Sequence, residues 1–137
     1  MIDLHVHSNY SDGSLSPTEL IDLALKNKLS VIALTDHDTL AGIKEAEKAA
    51  NSKRNNGFEI TLVPGVEISV FYKGLDVHIL GLLIDPSNII LNKALDEAKD
   101  KRNIRNEKIA EKFRNNGIAI TIEKLQEDAK DAVITRA

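Results

Sequence analysis

Ser30-Val31-Ile32-Ala33-Leu34-Thr35-Asp36-His37-Asp38 decides the fold. An apolar run of this length reads as a strand buried on both faces, the condition of a strand inside a parallel sheet. Amphipathic helices flank it. Upstream, Ser16-Pro17-Thr18-Glu19 is a helix start: Ser16 as N-cap, Pro17 at the first helical position, Glu19 closing a capping box. That helix runs to about Lys26, with Leu20, Ile21, Ala24 and Leu25 on one face. Downstream, a second helix is expected over roughly 40–51, and Asn55-Asn56-Gly57 breaks the pattern. Farther out, residues 2–6 alternate as a strand and 60–63 form another. Pro64-Gly65 interrupts, Val66–Phe71 continues extended, Lys73-Gly74 turns, and 76–84 returns, a pattern that allows a hairpin. The order β-α-β-α-β with an added strand pair argues for an α/β fold with a mostly parallel sheet.

The texture changes after Asp85-Pro86. Residues 88–115 read as one long charged helix with a sparse stripe of Ile90, Leu91, Ala94, Leu95, Ala98, Ile109 and Phe113, ended by Asn116-Gly117. Thr121 can cap a last helix over 122–131. A boundary near residue 86 divides the chain into 1–86 and 87–137. Nothing after the last helix closes the sheet, so the expectation is a fragment, or a fold completed by another chain.

The 137 residues are one domain's worth or less, 42% hydrophobic and 28% charged, an ordinary globular balance. A net charge of −3 advertises no general nucleic-acid or membrane surface. There is no cysteine, so disulfides and thiolate metal sites are excluded, and any metal site must use His, Asp and Glu. No signal peptide and no apolar run long enough for a membrane span is present, so a cytoplasmic protein is the default expectation.

All four histidines fall within the first 78 residues. His5 and His7 are two apart on a strand, so their side chains share a face. They stand at its C-terminal end, where parallel α/β folds build their sites. They are either a metal-binding pair or two exposed strand-end imidazoles. His7 opens a polar loop to Asp12-Gly13, and Asp-Gly alone is also ordinary turn chemistry. Asp36-His37-Asp38 places three ionisable groups after a buried strand, where they need partners or metal. Glu67 lies in an apolar extended segment, and His78 in another. Taken singly, Glu67 could face outward and His78 could be a satisfied core histidine. Together, four separate segments each carry a candidate ligand.

The set His5-Val6-His7-Ser8, Ser11-Asp12-Gly13, Thr35-Asp36-His37-Asp38, Pro64-Gly65-Val66-Glu67 and His78-Ile79-Leu80-Gly81 resembles the PHP (polymerase and histidinol phosphatase) domain family. It looks most like the bacterial members that act on nucleoside 3′,5′-bisphosphates or trim RNA 5′ ends.

The resemblance implies a distorted (β/α)7 barrel, of which residues 1–86 are the N-terminal half and 87–137 begin a helical insertion. It implies up to three divalent ions in the complete domain, and ligand type leaves Mn²⁺, Fe²⁺ and Zn²⁺ open. His5 and His7 would hold one ion. Glu67 would bridge it to a second, shared with His78. Asp12 and His37 would hold the third. Asp12, His37 and Glu67 would be the catalytic set, with Asp36 and Asp38 orienting ligands. Arg102, Arg105 and Arg136 are candidate clamps for a second phosphate. For Arg102 and Arg105 a solvated helix face is the competing reading.

The implied activity is phosphate-ester hydrolysis of a small phosphorylated substrate, a nucleotide or short RNA, by a metal-bound hydroxide. The alternatives are a histidinol-phosphatase-like monoesterase and a non-catalytic metal-binding module. An amidohydrolase barrel also opens with a His-x-His pair, but it needs a lysine and later histidines that cannot be located here. The family's further His and its late Asp-x-His pair are absent too, which points to a missing C-terminal half of the barrel.

Overall fold

A computed structural model describes residues 1–124, so the rest of the expected 122–131 helix, and Arg136, lie outside the described residues. The elements are β1 (Ile2–Val6), α1 (Pro17–Lys26), β2 (Val31–Leu34), α2 (Ile43–Asn55), β3 (Thr61–Tyr72), β4 (Leu75–Leu82) and α3 (Ile89–Asn115). The four strands form one sheet in sequence order. β1, β2 and β3 run parallel, and β4 returns antiparallel to β3.

The core lies between the sheet and the first two helices. Leu20, Ile21 and Ala24 of α1 and Ile43, Ala46, Ala49 and Ala50 of α2 pack on Ile32, Leu34 and Ile60. Three alanines on α2 allow the helices close approach, and burying the larger side chains stabilises by roughly 1.5–3 kcal/mol each. Ala33, fully buried, faces the other side of β2, consistent with a central strand covered on both faces.

α1 starts as its sequence dictates: Ser16 Oγ accepts from Glu19 N at 3.3 Å, and Glu19 Oε2 accepts from Ser16 N at 2.8 Å. α2 differs from the 40–51 expectation, running Ile43–Asn55. Residues 39–42 form a turn instead, with Thr39 Oγ1 accepting from Ala41 N at 3.2 Å and Ile43 N donating to Leu40 O at 3.1 Å.

The Pro64-Gly65 pair does not interrupt β3, contrary to the sequence expectation. It marks where the strand changes partners. Pro64 is the last residue opposite β2, across from Leu34, and Gly65 is the first opposite β4, across from Leu82. Proline cannot donate to a ladder, so it suits the point where a ladder ends. A Cβ on Gly65 would stand 2.7 Å from Thr35 Cγ2 and 2.9 Å from Gly81 O, so only glycine lets three segments meet here.

Lys73 and Gly74 both take positive φ, 50° and 85°, the two-residue turn that matches strand twist. On α3 only Leu95 and Ala110 are buried, while Ile89 and Ile90 are 84% and 81% exposed. The apolar stripe read from the sequence is therefore mostly unpacked.

Candidate metal centre

The strand ends converge on Glu67. His37 and Glu67 form an isolated parallel bridge just beyond the β2–β3 ladder. Asp38 N donates to Glu67 O at 2.9 Å, and Glu67 N donates to Asp36 O at 3.2 Å. Backbone pairing thus sets the carboxylate beside the imidazole. On β4, His78 lies opposite Ser69, diagonal to Glu67 on the same face and within reach of it. On β1, one extra residue between Asp3 and Val6 breaks the register with β2, a bulge of the kind that re-aims side chains beside a site.

The result is one carboxylate facing four imidazoles. Glu67 Oε2 is 2.9 Å from His5 Nε2, 2.9 Å from His7 Nε2 and 3.6 Å from His37 Nε2. Glu67 Oε1 is 3.0 Å from His78 Nδ1. Asp12 closes the other side, 2.7 Å from His7 Nδ1 and 3.5 Å from His37 Nε2. Three groups have ligand atoms mutually within 4.8 Å: His5, His7 and Glu67; His7, Asp12 and His37; His37, Glu67 and His78. The sequence reading paired Asp12 with His37 alone. Here His7, His37 and Glu67 each stand in two of these groups. Glu67 and His37 are buried, His7 is half-buried, and His5, His78 and Asp12 are exposed.

Burial opposes the charge on Glu67, yet the His5 hydrogen bond and the adjoining imidazoles hold its pKa below the ordinary value. Asp12 behaves alike: burial raises it, and His7 and His37 more than compensate. His37 is lowered chiefly by burial, against the opposing pull of Glu67 and Asp12, which favours a neutral ring able to ligate.

These residues fit divalent ions. His7 Nε2 is buried and makes no hydrogen bond, although it stands 2.9 Å from a carboxylate oxygen. His37 Nδ1 is buried and unpartnered as well. Nitrogen and oxygen lone pairs crowded together without a shared proton repel, and a cation among them removes the repulsion.

Asp36, read from sequence as orienting a ligand, directs its carboxylate to the His7–Gly13 loop. It accepts from Ser8 N at 2.7 Å, Ser8 Oγ at 2.7 Å and Ser11 Oγ at 2.6 Å. The loop is tight: a Cβ on Gly13 would meet His7 O at 2.3 Å. Asp38 accepts from Ser69 N at 2.8 Å and ion-pairs with Arg102. Arg102 is thereby engaged with a carboxylate, a partner the sequence reading did not assign it. Arg105 is exposed and lines a cleft of about 670 Å³ that also includes His37, Ser69, His78, Lys101 and Arg102. Ser8, Ser11 and Ser69 were missed from sequence. Only the polar loop after the first strand hints at the first two.

A strand-end cluster of this kind on an α/β half-barrel defines a class. The PHP domain model matches residues 3–108, and the chain belongs to the PHP domain family. It is 35% identical over 134 residues to the 5′-3′ exoribonuclease Rnm of Escherichia coli, covering 98% of this chain and 45% of that protein. It is 42% identical over 118 residues to the 3′,5′-nucleoside bisphosphate phosphatase of Chromobacterium violaceum, covering 86% of this chain and 40% of that protein. A crystal structure from Bifidobacterium adolescentis, of a protein assigned to the metal-dependent phosphoesterases, superposes with a TM-score of 0.83 at 29% identity. That match covers 95% of this chain and 43% of the other. The chain thus spans less than half the length of these relatives. The fold is the N-terminal part of a PHP barrel with a helical arm. Among the described residues no helix is long and apolar enough to cross a membrane.

Proposed function

We propose that the chain is the metal-binding part of a phosphoesterase acting on nucleotides or RNA 5′ ends. Residues 1–86 would supply the cluster and α3 (Ile89–Asn115) a helical arm. The observation that carries this reading is the pair of oxygens on buried Glu67 confronting four imidazoles, with two buried imidazole nitrogens left unpartnered. His5, His7 and Glu67 would hold one divalent ion, His37 and His78 a second with Glu67, and Asp12 would complete a third position beside His7 and His37. Such ions supply a lowered pKa for water and positive charge against phosphoryl oxygens.

The chain's own residues hold the geometry. Glu67 stays ionised, His37 stays neutral, and the bridge between them fixes their spacing. Arg105, and Arg136 beyond the described residues, are the candidate clamps for a second phosphate. The two named relatives act on RNA and on nucleoside bisphosphates, both of which present phosphate esters on ribose.

The test is the full chain stripped of metal, then assayed with and without Mn²⁺ on a nucleoside 3′,5′-bisphosphate, a 5′-phosphorylated RNA oligonucleotide and histidinol phosphate. Mn²⁺-dependent phosphate or nucleotide release from the first two is expected. Preference for histidinol phosphate assigns the monoesterase reading. Mn²⁺ binding without turnover assigns a non-catalytic metal module, and absence of both overturns the proposal.

A further inference from the structure

α3 touches the cluster's support through Arg102. Arg102 reaches across from the helix to Asp38, and its NH2 group also lies 3.4 Å from Ser69 Oγ. Asp38 is an unusual residue. It adopts φ 51°, a left-handed conformation that few non-glycine residues take, and its side chain is 1% exposed. Its backbone N–H donates to Glu67 O and its Oδ1 accepts from Ser69 N, so it clasps β3 on either side of Ile68, next to Glu67. Its Oδ2 ion-pairs with the Arg102 guanidinium. A buried carboxylate beside the cluster needs a cation of its own, or it competes for the charge the cluster would bind.

We propose that Arg102 is a positioning residue. By neutralising Asp38 it keeps that carboxylate on Ser69 and so holds the His37–Glu67 bridge in the spacing that divalent ions require. The helical arm is thereby part of the metal site without contributing a ligand. One guanidinium nitrogen, NH2, meets both Asp38 and Ser69. The inference rests on the metal-binding reading above. It stands in place of a phosphate-clamp role for Arg102, whose NH2 group is engaged at Asp38 and Ser69.

The experiment measures Mn²⁺ affinity and metal-free amide exchange in the wild-type chain, Arg102→Met, Arg102→Lys and the helix control Lys108→Met. Arg102→Met is expected to weaken Mn²⁺ binding about 10–100-fold, the range typical for outer-shell partners, with Arg102→Lys intermediate and Lys108→Met unchanged. Without metal, the Asp38 and Ser69 amides of Arg102→Met should exchange about tenfold faster while those of α1 do not change, a local loosening rather than global unfolding. Wild-type-like Mn²⁺ affinity in Arg102→Met overturns the proposal and returns the residue to phosphate binding. If Arg102→Met does not fold, Arg102→Lys decides: weakened binding supports the proposal and unchanged binding overturns it. If the wild-type chain binds no Mn²⁺, the metal reading fails, and the exchange arm alone decides whether Arg102 positions Asp38.

Discussion

Glu67→Ala is expected to lower Mn²⁺ affinity by more than about 100-fold, beyond the usual loss for an outer-shell partner, and to remove Mn²⁺-dependent hydrolysis with it. No other side chain in the site meets so many partners: its two oxygens face His5, His7, His37 and His78. Removing the carboxylate leaves four imidazoles around a cavity with Asp12 as the nearest acid, too little negative charge to hold cations together. Glu67→Gln tests the charge separately from the shape, since the amide fills the space but offers one neutral acceptor. Equilibrium dialysis with Mn²⁺, followed by the phosphate-release assay, reads both variants. Affinity within threefold of wild type in Glu67→Ala would remove this residue from the site.

Asp36→Ala is expected to destabilise the metal-free chain by at least about 3 kcal/mol, because it leaves one buried N–H and two buried hydroxyls without their acceptor at roughly 1–3 kcal/mol each. That is a large share of the 5–15 kcal/mol typical of a domain. The groups are Ser8 N, Ser8 Oγ and Ser11 Oγ, with Asp36 itself 2% exposed. The same loop carries His7 and Asp12, so Mn²⁺ affinity should fall along with stability. Asp36→Asn keeps one acceptor oxygen and should lie between. Urea unfolding followed by circular dichroism measures the change, and a loss under about 1 kcal/mol would mean that the loop does not depend on Asp36.

How far the sequence disclosed this molecule follows from the range of each interaction. The alternation of strands and helices was legible because each element is set by neighbours a few residues apart: the capping box at Ser16 and Glu19, the apolar run 31–34, the Lys73-Gly74 turn. The partner exchange at Pro64-Gly65 was not, because proline reads locally as an interruption and only the third dimension shows two ladders meeting there. The sequence ends α2 early, at 51, because Ser52, Lys53, Arg54 and Asn55 carry no apolar signal, although they continue the helix.

At the site, residue types suggested which side chains could bind metal, and the structure brings His5, His7, Asp12, His37, Glu67 and His78 together. The supporting contacts were invisible. Ser8 and Asp36 are 28 positions apart, and no local pattern announces their hydrogen bond. Arg102 sits among Lys99, Lys101 and Arg105 on a charged helix, where sequence cannot separate an engaged guanidinium from a solvated one.

The account stands or falls on cations binding where the imidazoles converge on the Glu67 carboxylate. Anomalous scattering at the manganese edge, from crystals of the chain soaked in Mn²⁺, tests this without reference to activity. The predicted result is anomalous density in contact with His5, His7 and Glu67, and with His37 and His78. Density confined to other surfaces, with these side chains free of metal at saturating Mn²⁺, would contradict it.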